Sequence, residues 1–316
     1  MNSPTLETQN QIQPRSPLSR SIDRGFVWLT LLFALGVAGV LIWMVIEVAI
    51  QAIPAMKQFG AGFLVSTVWD PNTDKYGVLP QIYGTIVTSA IALILAVPVG
   101  IGVAVFLSEN YIAPQIRLII VFLVELLAAI PSVVYGFWGV IVLIPILLVF
   151  QQWLHQILGW LPIFSTQPSG PGLVPAGVVL AIMVLPTITV ISRDALIALP
   201  SELRQAAVGL GATRWETILK VLLPAAFSGI IGGVMLALGR AIGETMAVTL
   251  VIGNANRIGA SILAPGNTIP SLLASEFPEA SALQKAALLY AALILFGITL
   301  IVNILAQLLV RRVQRI

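Results

Sequence analysis

The sequence contains no cysteine and only one histidine, His155. Disulfides and cysteine-ligated metal centres are therefore excluded. Charge is almost as scarce. Only 9% of the 316 residues are Asp, Glu, Lys or Arg, against about 25% in a soluble globular domain. No Ser/His/Asp or metal-ligand grouping is apparent, and His155 sits beside Trp153 and Leu154, which suits interfacial packing better than catalysis. The GxxxxGK[ST] pattern that cradles nucleotide phosphates is also missing, so any energy from ATP must come from a partner.

What the chain has is apolar length. Hydrophobic residues make up 58% of it, and about 20 consecutive apolar residues suffice to cross ~30 Å of hydrocarbon. Six stretches qualify, at about 26–50, 83–107, 116–150, 173–191, 222–252 and 285–309. The third contains Pro131, Gly136 and Gly139 and is expected to be one span with a broken or re-entrant end. The first 25 residues are polar and rich in Pro, Ser and Gln, which predicts a disordered cytoplasmic tail. The run after it reads as an uncleaved signal anchor, too long for a signal-peptide core.

The basic residues fix an expected orientation. With the N-terminus inside, the inner loops hold Arg15, Arg20, Arg24, Arg117, Arg193, Arg204, Arg214, Lys220, Arg311, Arg312 and Arg315, eleven in all. The outer loops hold four, Lys57, Lys75, Arg257 and Lys285. The positive-inside rule then places both termini in the cytoplasm. Trp69, Trp153 and Trp160 fall near the outer boundary and Trp28 near the inner one, as an aromatic belt requires.

One segment, residues 201–224, reads like a soluble helical hairpin between two apolar runs. Ser201 can cap a helix that runs to about Val208. Gly209 and Gly211 stop it. Thr213 and Glu216 have the spacing of a capping box for a second helix. Pro224 follows at the mouth of the fifth apolar run. The hairpin, residues 193–221, is either a well-capped connector or a handle for a protein in water.

The fifth run carries Arg240 and Glu244. A charge at the bilayer centre costs about 2.5–3.5 kcal/mol or more, so neither can face lipid. Their i, i+4 spacing predicts one helix face, with Gly233 and Ala237 below them keeping space open. Two readings stand side by side. One is structural, a buried ion pair or close packing through Gly229-x-x-x-Gly233 and Gly239-x-x-x-Gly243. The other is an anion station, because a guanidinium offers a fork of donors and stays charged. One Arg offset by one Glu cannot balance a dianion, so the second reading expects further positive charge from another membrane subunit. Glu125, in the third run, is a pathway or packing candidate.

The hairpin resembles the cytoplasmic EAA loop of the inner-membrane subunits of bacterial ABC importers. Gln205-Ala206-Ala207 is followed by Gly211, Val221, Leu223 and Pro224 at that loop's spacing. Gln205 stands in place of the loop's Glu, and Glu202, one turn earlier, could supply the charge. Further runs resemble the phosphate-specific permeases of the PstC type: Val68-Trp69-Asp70-Pro71, Ile82-Tyr83-Gly84-Thr85, Val97-Pro98-Val99-Gly100, Ile130-Pro131-Ser132, and Gly239-Arg240 through Glu244-Thr245.

The resemblance covers about residues 26–316. It implies an all-α polytopic membrane protein with six transmembrane helices in the type I, MetI-like ABC permease fold. It also implies Arg240 and Glu244 in substrate movement, and Glu202, Gln205, Ala206, Ala207, Gly211, Arg214 and Pro224 on the ATPase-coupling loop. The chain would hold no cofactor, with ATP-Mg bound by an ATPase subunit dimer. The other implied partners are a homologous second permease of the PstA type and a periplasmic phosphate-binding protein. That protein would dock on the polar outer loops at 57–81 and 254–284. Two rivals remain at this stage: an ABC permease for sulfate or molybdate, and a secondary transporter needing no ATPase.

Overall fold

The computed structural model describes residues 17–109 and 111–313. These divide into two units, residues up to 50 and residues 51–316. In the first unit, α1 (Pro17–Phe59) begins and presents exposed apolar side chains such as Phe26, Trp28, Leu35 and Trp43. Residues 17–25, expected in the disordered tail, are helical. Residues 1–16 lie outside the described residues.

The second unit opens with the rest of α1, α2 (Gly62–Val65) and a two-stranded antiparallel hairpin, β1 (Trp69–Asp70) and β2 (Lys75–Tyr76), in register Trp69 to Tyr76. Asp70 organises the turn, accepting from the Thr73 hydroxyl at 2.8 Å and the Asn72 amide at 3.0 Å. Those bonds hold its carboxyl below the usual carboxylate range. Long helices follow: α3 (Leu79–Ser108), α4 (Pro114–Ala129), α5 (Ser132–Trp138), α6 (Ile144–Leu158) and α7 (Leu173–Ile197). Two short helices, α8 (Ser201–Gly209) and α9 (Arg214–Thr217), form the hairpin. The chain ends with α10 (Leu223–Gly243), α11 (Met246–Val251), α12 (Ile269–Glu276) and α13 (Ala282–Val313).

Among the described residues six helical segments are long and apolar enough to cross a membrane: Asp23–Phe59, Leu79–Ser108, Ser132–Leu158, Leu173–Ile197, Arg214–Gly243 and Ala282–Leu308. The third differs from the sequence expectation of one span over 116–150. Ile130 and Pro131 adopt extended backbone (ψ 128° and 138°), as the clash of a proline ring with the preceding residue demands. The chain breaks there into α4, which packs on α7, and a second helix continuing to Leu158. A straight helix over residues 114–158 would be roughly 65 Å long, about twice the hydrocarbon thickness. The break resolves that mismatch.

Other prolines act more gently. Pro145 and Pro224 cannot donate to the helix, and just before each one the helix widens to a π turn, at Gly139–Leu143 and Ile218–Leu222. Ile144 and Leu223 reach back five residues, to the carbonyls of Gly139 and Ile218. α5 and α6 are thereby one continuous helix, and so are α9 and α10.

α7 is the buried centre, held between α3 and α10. Glycines permit the close approach. A Cβ on Gly100 would meet Ile188 Cγ2 at 2.9 Å, and one on Gly233 would meet Ile191 Cβ at 3.0 Å. The main core joins α3, α5, α7, α10 and α11. Around β1 and β2 a separate aromatic cluster stacks Phe63 on Tyr290 (4.7 Å) and sets Trp69 edge-on to Tyr76 (4.9 Å).

Candidate functional site

The fifth apolar run is two helices, not one. α10 ends at Gly243, and Glu244 takes an extended conformation (φ −67°, ψ 126°). Its Oε1 accepts from the Ala247 amide at 3.3 Å, over the first turn of α11. The expected shared helix face of Arg240 and Glu244 is therefore corrected. i, i+4 adjacency requires an unbroken helix, and no proline marks this break. Among the described residues no ion pair joins the two, and Arg240 makes no hydrogen bond to a described residue.

Arg240 instead lines a cleft of about 1060 Å³ between α7, α10 and α13. Its walls include Thr187, Ser228, Gly232, Gly239, Asn303 and Gln307, and among the described residues no carboxylate. The small residues below Arg240 are not the expected pair. Gly233 and Ala237 are buried, with Gly233 against Ile191 on α7. Gly232 and Gly239 are the ones that face open space. The two GxxxG patterns thus separate by function. Gly229 and Gly233 pack against Ala195 and Ile191, whereas a Cβ at Gly239 or Gly243 would meet nothing within 4 Å.

The breaks after α4 and α10 lie together. α5 packs on α11, with Gly136 against Ala247 and Leu250. The Tyr135 hydroxyl donates to the Leu127 carbonyl across the α4–α5 break at 2.8 Å, and Tyr135 lies within range of the Arg240 charge. Glu125, on α4, is exposed and does not join Arg240. It shares a groove of about 540 Å³ with Phe122 and Arg193.

The hairpin forms two helices around Gly211, whose φ of +86° suits a residue without Cβ. The capping box is complete. The Glu216 amide donates to Thr213 Oγ1 at 3.3 Å, and the Thr213 amide donates to Glu216 Oε2 at 3.1 Å. Ser201, however, makes no cap. The N-cap of α8 is Pro200, with no side-chain bond. Of the two alanines only Ala206 is exposed. Ala207 is buried and its carbonyl accepts from Ala212 at 3.1 Å, so the reading that both enter a partner's groove is corrected to Ala206 alone.

Glu202 and Gln205 are exposed, as are the apolar Leu203, Val208, Leu210 and Trp215. Arg214, at the start of α9, borders a small hollow with Glu109, Tyr111 and Arg204. Pro224 follows the π turn into α10. The sequence reading missed the tie between Arg204 and Glu109, 2.8 Å long, which fastens α8 to the end of α3. It also missed Asn303 and Gln307, two amides in the last apolar run that a search for charged residues passes over.

At the end of the bundle opposite the hairpin the loops are joined. Trp69 Nε1 and Gln284 Nε2 both donate to Glu276 Oε2, at 2.6 and 2.7 Å. Gln81 and Asn267 both donate to Asn256 Oδ1 at 2.9 Å.

Comparison with known proteins follows the same geometry. The phosphate transport system permease protein PstC of Haemophilus influenzae is 43% identical over 303 residues, covering 93% of this chain and 95% of that protein. The protein of that name from Mesorhizobium japonicum is 48% identical over 266 residues, 82% of this chain and 81% of the relative. A bacterial alginate ABC transporter, solved with its alginate-bound periplasmic protein, superimposes with a TM-score of 0.61 at 17% identity, over 94% of this chain and 98% of that one. The inward-facing MetNI methionine ABC transporter superimposes with a TM-score of 0.51 at 18% identity, over 75% and 94%. At such identities the two structures speak to the fold alone, which is the MetI-like ABC permease fold.

Residues 96–315 match the family described as binding-protein-dependent transport system inner membrane component. The chain is a transport component rather than an enzyme, and its match to a binding-protein-dependent family sets aside the secondary transporter. It belongs to the binding-protein-dependent transport system inner membrane component family.

Proposed function

We propose that this chain is the permease subunit through which inorganic phosphate crosses the inner membrane, driven by ATP-Mg on separate ATPase subunits. The observation that carries the reading is likeness at 43% identity, over more than nine-tenths of the chain, to a protein named as a phosphate permease. The geometry is compatible with it. Arg240 brings a permanent positive charge to a cleft without carboxylates, and a guanidinium suits an oxyanion's paired oxygens.

Glu244 acts as a placing residue for the break beside Arg240, and Glu125 with Arg193 marks a second polar face of the permease. A homologous second permease of the PstA type completes the pathway and supplies further positive charge. Both termini lie in the cytoplasm. The exposed edge of α8 and α9, with Ala206, Leu210 and Trp215, seats in the ATPase. An exposed apolar patch on an otherwise polar end is what a docking surface requires. The joined outer loops form the rim that receives the phosphate-binding protein. ATP-driven closure then changes the relative affinity of inward and outward states for the anion, as any such switch must.

Uptake of radiolabelled phosphate, sulfate and molybdate by the complete complex in vesicles tests the substrate. Phosphate uptake that an excess of unlabelled sulfate or molybdate does not suppress is expected. Uptake of sulfate or molybdate in its place would overturn the phosphate reading while leaving the permease assignment standing.

A further inference from the structure

The cleft below Arg240 has a direction. α10 rises from the hairpin end at Leu223, so Ser228 lies roughly 18 Å below Arg240 along it. α7 and α13 run the opposite way, and Thr187, Asn303 and Gln307 come from their lower parts. The cleft therefore leads from Arg240 towards the hairpin end. Below Arg240 its polar side chains are neutral: two hydroxyls and two primary amides.

The amides are the unusual members. Asn303 and Gln307 stand i, i+4 on α13, on one face of an apolar helix. Neither hydrogen-bonds a described residue. Asn303 sits eight residues before Arg311, roughly 12 Å into the membrane. An amide facing hydrocarbon there would forfeit its hydrogen bonds to water, which is costly. Both amides instead open on the cleft that holds Arg240.

We propose that the α7–α10–α13 cleft is the inner half of the anion path, a water-filled route in which Asn303, Gln307, Ser228 and Thr187 hand an oxyanion from Arg240 towards the cytoplasm. The chemistry suits release. A path must bind well enough to admit an ion and weakly enough, at several sites, to let it leave. Neutral N–H and O–H donors solvate an oxyanion without holding it as a second guanidinium would, and no carboxylate on the walls repels it. The inference rests on the anion-transport reading for its physiological meaning but not for its test.

The absence of cysteine makes that test clean. Asn303→Cys, Gln307→Cys and Gly232→Cys are made singly in the complete complex and exposed to two water-soluble thiosulfonate reagents, one anionic and one cationic. Ile301→Cys, on an exposed apolar position of α13, is the control. Gly232 has room for a side chain, so it serves if an α13 variant fails to assemble. The cleft positions are expected to react where Ile301→Cys does not. They are also expected to favour the anionic reagent, after correction for free-thiol rates, by roughly tenfold, as one fixed charge in a narrow cleft with low-dielectric walls would give. Adding Arg240→Gln should remove the preference.

Reactivity no greater than that of Ile301→Cys would mean that lipid or a partner subunit fills the cleft, and would overturn the proposal. So would a preference that survives Arg240→Gln. Because labelling needs no transport, an anion-selective cleft in a complex that carries no phosphate would sink the substrate reading and keep this one.

Discussion

At the scale of single residues, the proposed function puts the anion chemistry on Arg240. Its position was legible in the sequence because a charge in an apolar run is expensive and therefore meaningful. Its partner was not legible. The i, i+4 rule assumed a helix that ends at Gly243, and nothing in Gly243-Glu244-Thr245 announces the extended backbone of Glu244. Glu244 is bound to the Ala247 amide rather than to the guanidinium. Glu244→Gln, which keeps an acceptor oxygen, is thus expected to retain more uptake than Glu244→Ala. Equal loss in both, measured as initial phosphate uptake at matched expression, would mean that the charge itself matters. Gly211 makes a second residue-scale case. At φ +86° any side chain is strained, by about 1–3 kcal/mol. Gly211→Asp is expected to weaken co-purification of the ATPase subunits, and retention at the wild-type ratio would argue against the hairpin as their seat.

Whole elements move only as far as their ties allow. The half-buried pair of Arg204 and Glu109 joins α8 to the lower end of α3, and Arg117 Nη2 donates to the Glu109 carbonyl at 3.0 Å from α4. A push on the hairpin therefore reaches α3 and α4 as well as α10. Arg204→Ala should leave the ATPase bound yet lower the phosphate carried per ATP hydrolysed, since the pair lies away from the exposed docking edge. An unchanged ratio would show that α10 alone transmits the motion. Packing is tested at Gly100. Gly100→Val would drive methyl groups into Ile188, and overpacking of this kind costs about 1–3 kcal/mol. A lower thermal midpoint of the solubilised complex is expected. The sequence signalled these elements unevenly. Apolar runs, the capping box and the proline break at Pro131 were readable because each is local. Pro145 and Pro224 produced π turns instead of breaks, and the Arg204–Glu109 tie spans 95 positions, beyond the reach of any periodicity.

Across residues 51–313, one end is a rim of mutually bonded loops and the other a capped hairpin with exposed apolar side chains, with a broken-helix core between them. The side chains that tie each end together are hydrogen-bonded to one another, whereas Arg240 has its guanidinium in a cleft and no hydrogen bond to a described residue. On the proposed function, such a layout would separate energy supply from substrate contact. Damage to Arg240 should stop passage of the anion without disturbing assembly or the response of the ATPase to the loaded binding protein. The direct measurement is phosphate uptake and ATP hydrolysis in the same vesicles, for the complete complex with and without Arg240→Gln. Uptake reduced to background, with hydrolysis still stimulated by the phosphate-loaded binding protein, is the predicted result. Uptake close to that of the unaltered complex would contradict it.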